Sequence, residues 1–196
     1  NYKDFNFDGI DWGGTTGLVN AVNTVLDSKT SANIASLDDV KKISLSFQSI
    51  LNETNNGASN TDPTALNYDD ILGSNNSHLF HGAPTISDTN NQASNALSLM
   101  NDIVRHKTPT SLSSRDTIDT LATQVDALMK LAAGENNTIT YSNLSNMGFA
   151  IGNLNDTSYT SNLNKFWRSV MDTNDSGSGI QTWNQVQALI NASLVV

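Results

Sequence analysis

Asp4, Asn6 and Asp8 place oxygen-bearing side chains at alternate positions ahead of Gly9, in the run Asp4-Phe5-Asn6-Phe7-Asp8-Gly9-Ile10-Asp11. That spacing fits the opening of a calcium loop, where alternate oxygens turn inward and a glycine permits the sharp bend. A bidentate glutamate belongs at the twelfth position, but Thr15 stands there, and both residues between the ligands are phenylalanine. A second run, Asp172-Thr173-Asn174-Asp175-Ser176-Gly177-Ser178-Gly179, again sets oxygens at alternate positions before a glycine, with Trp183 in the twelfth place. Calcium is therefore the cofactor these residues suggest. Asp4, Asn6 and Asp8 form its first candidate ligand set, and Asp172, Asn174 and Ser176 the second. The competing reading of each run is an ordinary polar turn.

Other chemistry finds less support. His78-Leu79-Phe80-His81 offers two imidazoles, whereas zinc takes three or four protein ligands and no carboxylate cluster completes the set, so a loop is the better reading. The chain has no cysteine, which removes disulfides, thiolate metal sites and a cysteine nucleophile. No nucleophile elbow, phosphate-binding glycine loop or framed acid pair occurs. Gly13 and Gly14, ahead of Thr15 and Thr16, suit a turn into a helix. The expectation is a protein that is not an enzyme.

Composition narrows the partners. Of 196 residues, 70 are Asn, Ser or Thr and only 15% are charged, with a formal net charge of −9. Such an acidic chain lacks the basic patch that phosphate backbones require, so nucleic acid is not expected as a partner. With a mean hydropathy of −0.32 and no apolar run near the ~20 residues that cross a bilayer, membrane insertion is not expected either. Seven Asn-x-Ser/Thr sequons are about what this composition yields by chance. A start at Asn1, with neither methionine nor a signal segment, reads as a mature or excised piece of something longer.

The elements that must position these residues read as helices, and as repeats. Leu18, Val22, Val25 and Leu26 share one helical face. The same offsets give Ala96, Met100, Ile103 and Val104, then Leu163, Trp167, Val170 and Met171. After a loop of nearly constant length comes a second stripe: Ile34, Leu37, Val40, Ile43; then Leu112, Arg115, Ile118, Leu121; then Ile180, Trp183, Val186, Leu189. Arg115 is the one polar interruption. Ser36, Ser114 and Thr182 are expected N-caps, Ser113 competes in the middle copy, and Asp39 and Gln185 complete capping boxes. A shorter signature leads each pair, namely Tyr2, Phe5, Gly9; Tyr68, Ile71, Gly73; and Tyr141, Leu144, Gly148, each a helical turn that a glycine ends. The fold predicted is all-α: three tandem helix-pair repeats packed as a helical array or bundle. Their boundaries are 1–56, 57–135 with an inserted polar loop at 74–89, and 136–196. Val22, Val40, Met100, Ile118, Trp167 and Val186 should be core. Trp12 falls outside the repeat register, which leaves it as core or ligand platform.

The stretches Gly9-Ile10, Leu18-Val19-Asn20-Ala21-Val22-Asn23 and Ser36-Leu37-Asp38-Asp39-Val40, with Gly179-Ile180-Gln181-Thr182-Trp183-Asn184-Gln185-Val186 in the third copy, resemble the small helical repeats of very large secreted bacterial surface proteins and adhesins. The resemblance covers most of the chain, which departs from it in the 74–89 insertion and at Arg115. It implies a non-enzymatic extracellular or cell-surface module: an adhesin segment, a biofilm matrix component or a subunit of a self-assembling layer or filament. The partners it implies are adjacent repeats or other copies of the same protein, and a glycan or a host-cell surface. The alternative is a ligand- or glycan-binding accessory domain of a secreted protein, using Tyr68, His78, Phe80 and His81. The apolar end Leu194-Val195-Val196 should either meet a following repeat or subunit or fold back on the third pair.

Overall fold

The computed structural model describes residues 4, 7–29, 34–54, 62–73, 92–135, 137–154, 162–173 and 177–194, with side chains given for all of these except 172 and 173. Among them it is all-helical, with eight α-helices and no strand. They are α1 (Leu18–Ser28), α2 (Leu37–Glu53), α3 (Ala65–Leu72), α4 (Gln92–Arg105), α5 (Arg115–Ala132), α6 (Tyr141–Met147), α7 (Asn162–Thr173) and α8 (Trp183–Leu194). Short 3-10 turns at Pro109–Leu112 and Ser178–Ile180 precede α5 and α8.

The helix ends follow local chemistry. Ser36 caps α2, its hydroxyl accepting from the Asp39 N–H while the Asp39 carboxylate accepts from the Ser36 N–H. Ser114, rather than Ser113, accepts from the Thr117 N–H at the start of α5, and Thr182 and Gln185 exchange the same pair of bonds ahead of α8. The short helices α3 and α6 carry caps the sequence reading overlooked, with the carboxamides of Asn67 and Asn143 accepting from the N–H groups of Thr64 and Thr140. At the far end of α6, Gly148 takes a left-handed conformation, φ 98°, so that its own N–H and that of Phe149 reach back to the carbonyls of Ser145 and Leu144.

The chain divides into two compact units, one of residues 1–78 and 104–120, the other of 79–103 and 121–196. In the first, α2 packs against α1, α3 and the Pro109–Leu112 turn. Leu18, Val22, Val25, Phe47, Ile50, Tyr68 and Ile71 are completely buried there. In the second, α7 and α8 pack on each other and on the Ser178–Ile180 turn, with Leu99, Met100, Val125, Phe166, Val170 and Val186 buried.

Val22, Val40, Met100, Ile118 and Val186 are core as expected, whereas Trp167 is only half-buried. The stripe of α7 is turned by one residue, about 100° of helix, so that Asn162, Phe166 and Val170 face inward and Met171 is 38% exposed. The indole N–H explains the margin position of Trp167: it donates to the Ile139 carbonyl at 2.9 Å, a bond that full burial among apolar side chains would forfeit. On α2 the stripe begins at Val40, since Leu37, the first helical residue, is 49% exposed.

Candidate functional site

Of the first calcium ligand set, Asp4 and Asp8 are both exposed, while Asn6 lies outside the described residues. Thr15, in the place of the bidentate glutamate, is buried and donates its hydroxyl to Asn52 Oδ1 at 3.3 Å. Of the second set, Asp172 belongs to the last turn of α7, and Asn174 and Ser176 lie outside the described residues. Gly177 has a reason to be glycine apart from any metal. Its φ is +90°, and a Cβ there would fall 2.3 Å from Met129 Sδ. Among the described residues no three acidic or histidine side chains group as metal ligands would. His78, Phe80 and His81 are likewise outside the described residues, and Tyr68 is completely buried in α3, which removes it as a ligand platform.

Tyr68 belongs instead to a partly buried polar cluster in the first unit that the sequence did not signal. Glu53, at the end of α2, is 1% exposed, and its Oε1 receives Arg105 Nε from the end of α4. The same guanidinium reaches Asp62 through Nη2, and Glu53 Oε2 is buried without a hydrogen-bond partner. Burial opposes the charge on Arg105, but the bonds from Asp62 and Glu53 outweigh it and raise the guanidinium pKa. Burial also drives the Tyr68 hydroxyl well above the ordinary tyrosine pKa, and the charges of Glu53 and Asp62 push the same way. The cluster ties α2, α4 and the approach to α3 together.

Two further contacts fasten α3. Asp70 accepts from Lys42 Nζ and from the Ser46 hydroxyl, both at 2.7 Å, and the ion pair raises the Lys42 pKa. Arg115, the residue that interrupts the second stripe, donates from Nη2 to the Leu72 carbonyl at 3.3 Å, at the C-terminal end of α3. A cation suits that end of a helix, so the break in the apolar pattern has a structural use.

One opening that this unit presents to solvent lies elsewhere. A groove of about 440 Å³ runs along the start of α1, lined by Trp12, Gly13, Thr15 to Asn20, and Asn23, none of them charged. Its walls are fixed by long-range bonds. Gln48 of α2 accepts from the Asp11 N–H at 2.6 Å and donates to the Gly9 carbonyl at 2.8 Å. Asp11 in turn accepts from the Gly14 N–H at 2.7 Å. A Cβ at Gly14 would lie 2.0 Å from that carboxylate, so a larger residue there would displace the Asp11 side chain from this bond. Asn20 holds the other side, donating to the Ser113 carbonyl at 2.8 Å. Among the described residues no acid, base or histidine lines the groove.

No family model matches the chain, and no curated protein and no solved structure is similar enough to it to count as a match.

Proposed function

We propose that this chain is a non-enzymatic structural or adhesive module of an extracellular bacterial surface protein. In this reading three tandem helix pairs stack on one another and on further copies. The observation that carries it is where the buried and half-buried polar side chains go. Gln187 exchanges two bonds with the Ala150 backbone, Asp102 accepts from the Trp183 N–H, and Arg105 and Arg115 tie helix ends. Polar groups taken out of water are thus spent on joining helices. The register of apolar stripes in the sequence points the same way, because one helix pair is too small to bury its stripe alone and relies on neighbours. On the three-repeat reading the middle pair serves both compact units, since their boundaries at 103–104 and 120–121 fall within α4 and α5.

Association is the property to measure. Light scattering of the intact chain across a concentration series should show growing assemblies, and deletion of Leu194–Val196 should reduce them. Leu194 has an intramolecular neighbour too, because its Cδ1 would lie 2.9 Å from a Cβ at Gly152. A chain that stays monomeric throughout, and whose melting temperature falls on the deletion, would overturn the assembly reading and make the tail part of the core.

A further inference from the structure

The groove beside Trp12 opens to solvent, and its chemistry selects one kind of ligand. Trp12 is half-buried with its indole nitrogen turned away from solvent, so what the ring offers the groove is carbon. An electron-rich aromatic face attracts the weakly positive C–H groups that line one side of a sugar ring. Beside it the backbone of Gly13 borders open space, since a Cβ there would meet no atom within 4 Å. Two polar groups stand where ring hydroxyls would reach. Thr16 exposes a hydroxyl, and Asn20 commits its Nδ2 to the Ser113 carbonyl, which leaves its Oδ1 to accept.

Charge narrows the choice further. Among the described residues the lining holds no cation to attract phosphate, sulfate or carboxylate, and a chain of net charge −9 repels all three. No carboxylate lines the groove to hold an ammonium group. Leu18 is completely buried and Val19 half-buried, and the rest of the lining beside Trp12 is threonine, asparagine and glycine, which leaves too little apolar area for an acyl chain or an amphipathic helix, both of which need a continuous greasy floor. We propose that the groove lined by Trp12, Thr16 and Asn20 is a binding site for a neutral carbohydrate chain, with one sugar ring stacked on the indole. The Gln48, Asp11 and Asn20 bonds hold its walls in place beforehand, which lowers the ordering cost of a weak ligand. The site requires only that the domain folds, and it stands whether or not the chain assembles.

Native electrophoresis of the intact chain through gels cast with neutral polysaccharides (soluble starch, dextran, a galactomannan, hydroxyethyl cellulose) and with anionic alginate tests this directly. At least one neutral gel should retard the protein. Trp12→Ala should abolish the retardation, and Trp12→Phe, which keeps an aromatic face, should retain most of it. Gly13→Arg keeps Trp12 and fits the open space at that position, so it should block the groove and weaken retardation at least tenfold with an unchanged circular dichroism spectrum. Retardation by alginate alone, by no gel at all, or undiminished from that of the unaltered chain in Gly13→Arg or Trp12→Ala would overturn the assignment. Monomeric behaviour in light scattering leaves these outcomes unaffected, so the two proposals fail separately.

Discussion

Each unit secures its helices with long-range polar contacts, but the two use different chemistry. Around α2 the fasteners are largely ionic: Arg105 with Glu53 and Asp62, and Lys42 with Asp70. Around α8 one fastener is a carboxylate, Asp102 accepting from the Trp183 N–H, and the others are neutral: the amide of Gln187 exchanges two bonds with the Ala150 backbone, Trp167 donates to the Ile139 carbonyl, and Trp183 stacks on Phe149 with ring centroids 5.4 Å apart. The capping boxes repeat the contrast, with Asp39 in the box of α2 and Gln185 in that of α8. Amides and indoles keep their bonding capacity across pH and salt, whereas carboxylates lose theirs on protonation and exposed ion pairs weaken under screening. Sensitivity to solution conditions should therefore concentrate in the first unit, while the apolar cores behave alike.

The cores give the largest effects and the baseline. Phe47 and Phe166 are each completely buried, so Phe47→Ala and Phe166→Ala should each cost about 3 to 5 kcal/mol in chemical denaturation. Trp167→Ala should cost less than Phe166→Ala despite the larger side chain removed. A cost below about 1 kcal/mol at either phenylalanine would break the claim that the units differ only in their polar fastening. Next comes Arg105→Met, which leaves the buried Glu53 carboxylate without its cation and should cost about 3 kcal/mol. The double variant Arg105→Met with Glu53→Leu should recover most of that loss, because an apolar pair of similar volume serves a buried site well. If the double variant is no better than the single one, the ion cluster holds the first unit in some way other than mutual charge compensation.

The helices were legible because their signals are local. Stripes at helical spacing, the caps Ser36, Ser114 and Thr182, and the glycines ending α3 and α6 all lie within one or two turns of what they control. The ionic cluster was not, since Glu53 and Arg105 are 52 residues apart and Arg105 and Asp62 are 43 apart, and no periodicity connects them. Arg115 read as a flaw in the stripe for the same reason, its partner Leu72 being 43 positions away. In α7 the apolar pattern allowed two faces, and the hydrogen bond of Trp167 to Ile139 decided between them. The groove at Trp12 showed in the sequence only as a tryptophan out of register. Its walls depend on Gln48 and Ser113, which fold back from 36 and 101 positions along the chain.

A smaller effect sharpens the contrast from the neutral side. Gln187→Met keeps the bulk of the side chain and removes both bonds to Ala150, and because Ala150 is exposed water can replace them. The expected loss is about 1 kcal/mol, independent of salt. Lys42→Met, on the ionic side, should cost a similar or smaller amount that shrinks as sodium chloride is raised, since the lysine is 66% exposed. Equal salt dependence in the two variants would erase the distinction between the units.

The smallest effect is confined to one turn of helix. Three donors converge on Asp39 Oδ2, the N–H groups of Ala35 and Ser36 and the Ser36 hydroxyl, at 3.0, 2.9 and 3.0 Å. The side-chain bond from Ser36 and the backbone bonds hold the Asp39 carboxyl below the ordinary aspartate pKa. A group whose pKa is lowered by folding contributes stability above its unfolded pKa, and that contribution is lost as pH falls through the lower folded value. Acid should therefore loosen the Ser36–Asp39 box of α2 and spare the Thr182–Gln185 box of α8, where neither partner titrates; the Asp102 carboxylate that accepts from the Trp183 N–H is a separate contact on that turn. Amide resonances measured through an acid titration would show it. The N–H of Asp39 should shift and exchange faster as the pH drops below the ordinary aspartate range, while that of Gln185 holds. Asp39→Asn should remove the transition at α2, because a carboxamide keeps its acceptor at every pH. A transition of the same midpoint at both caps would mean that acid acts on the whole fold and not on this carboxylate.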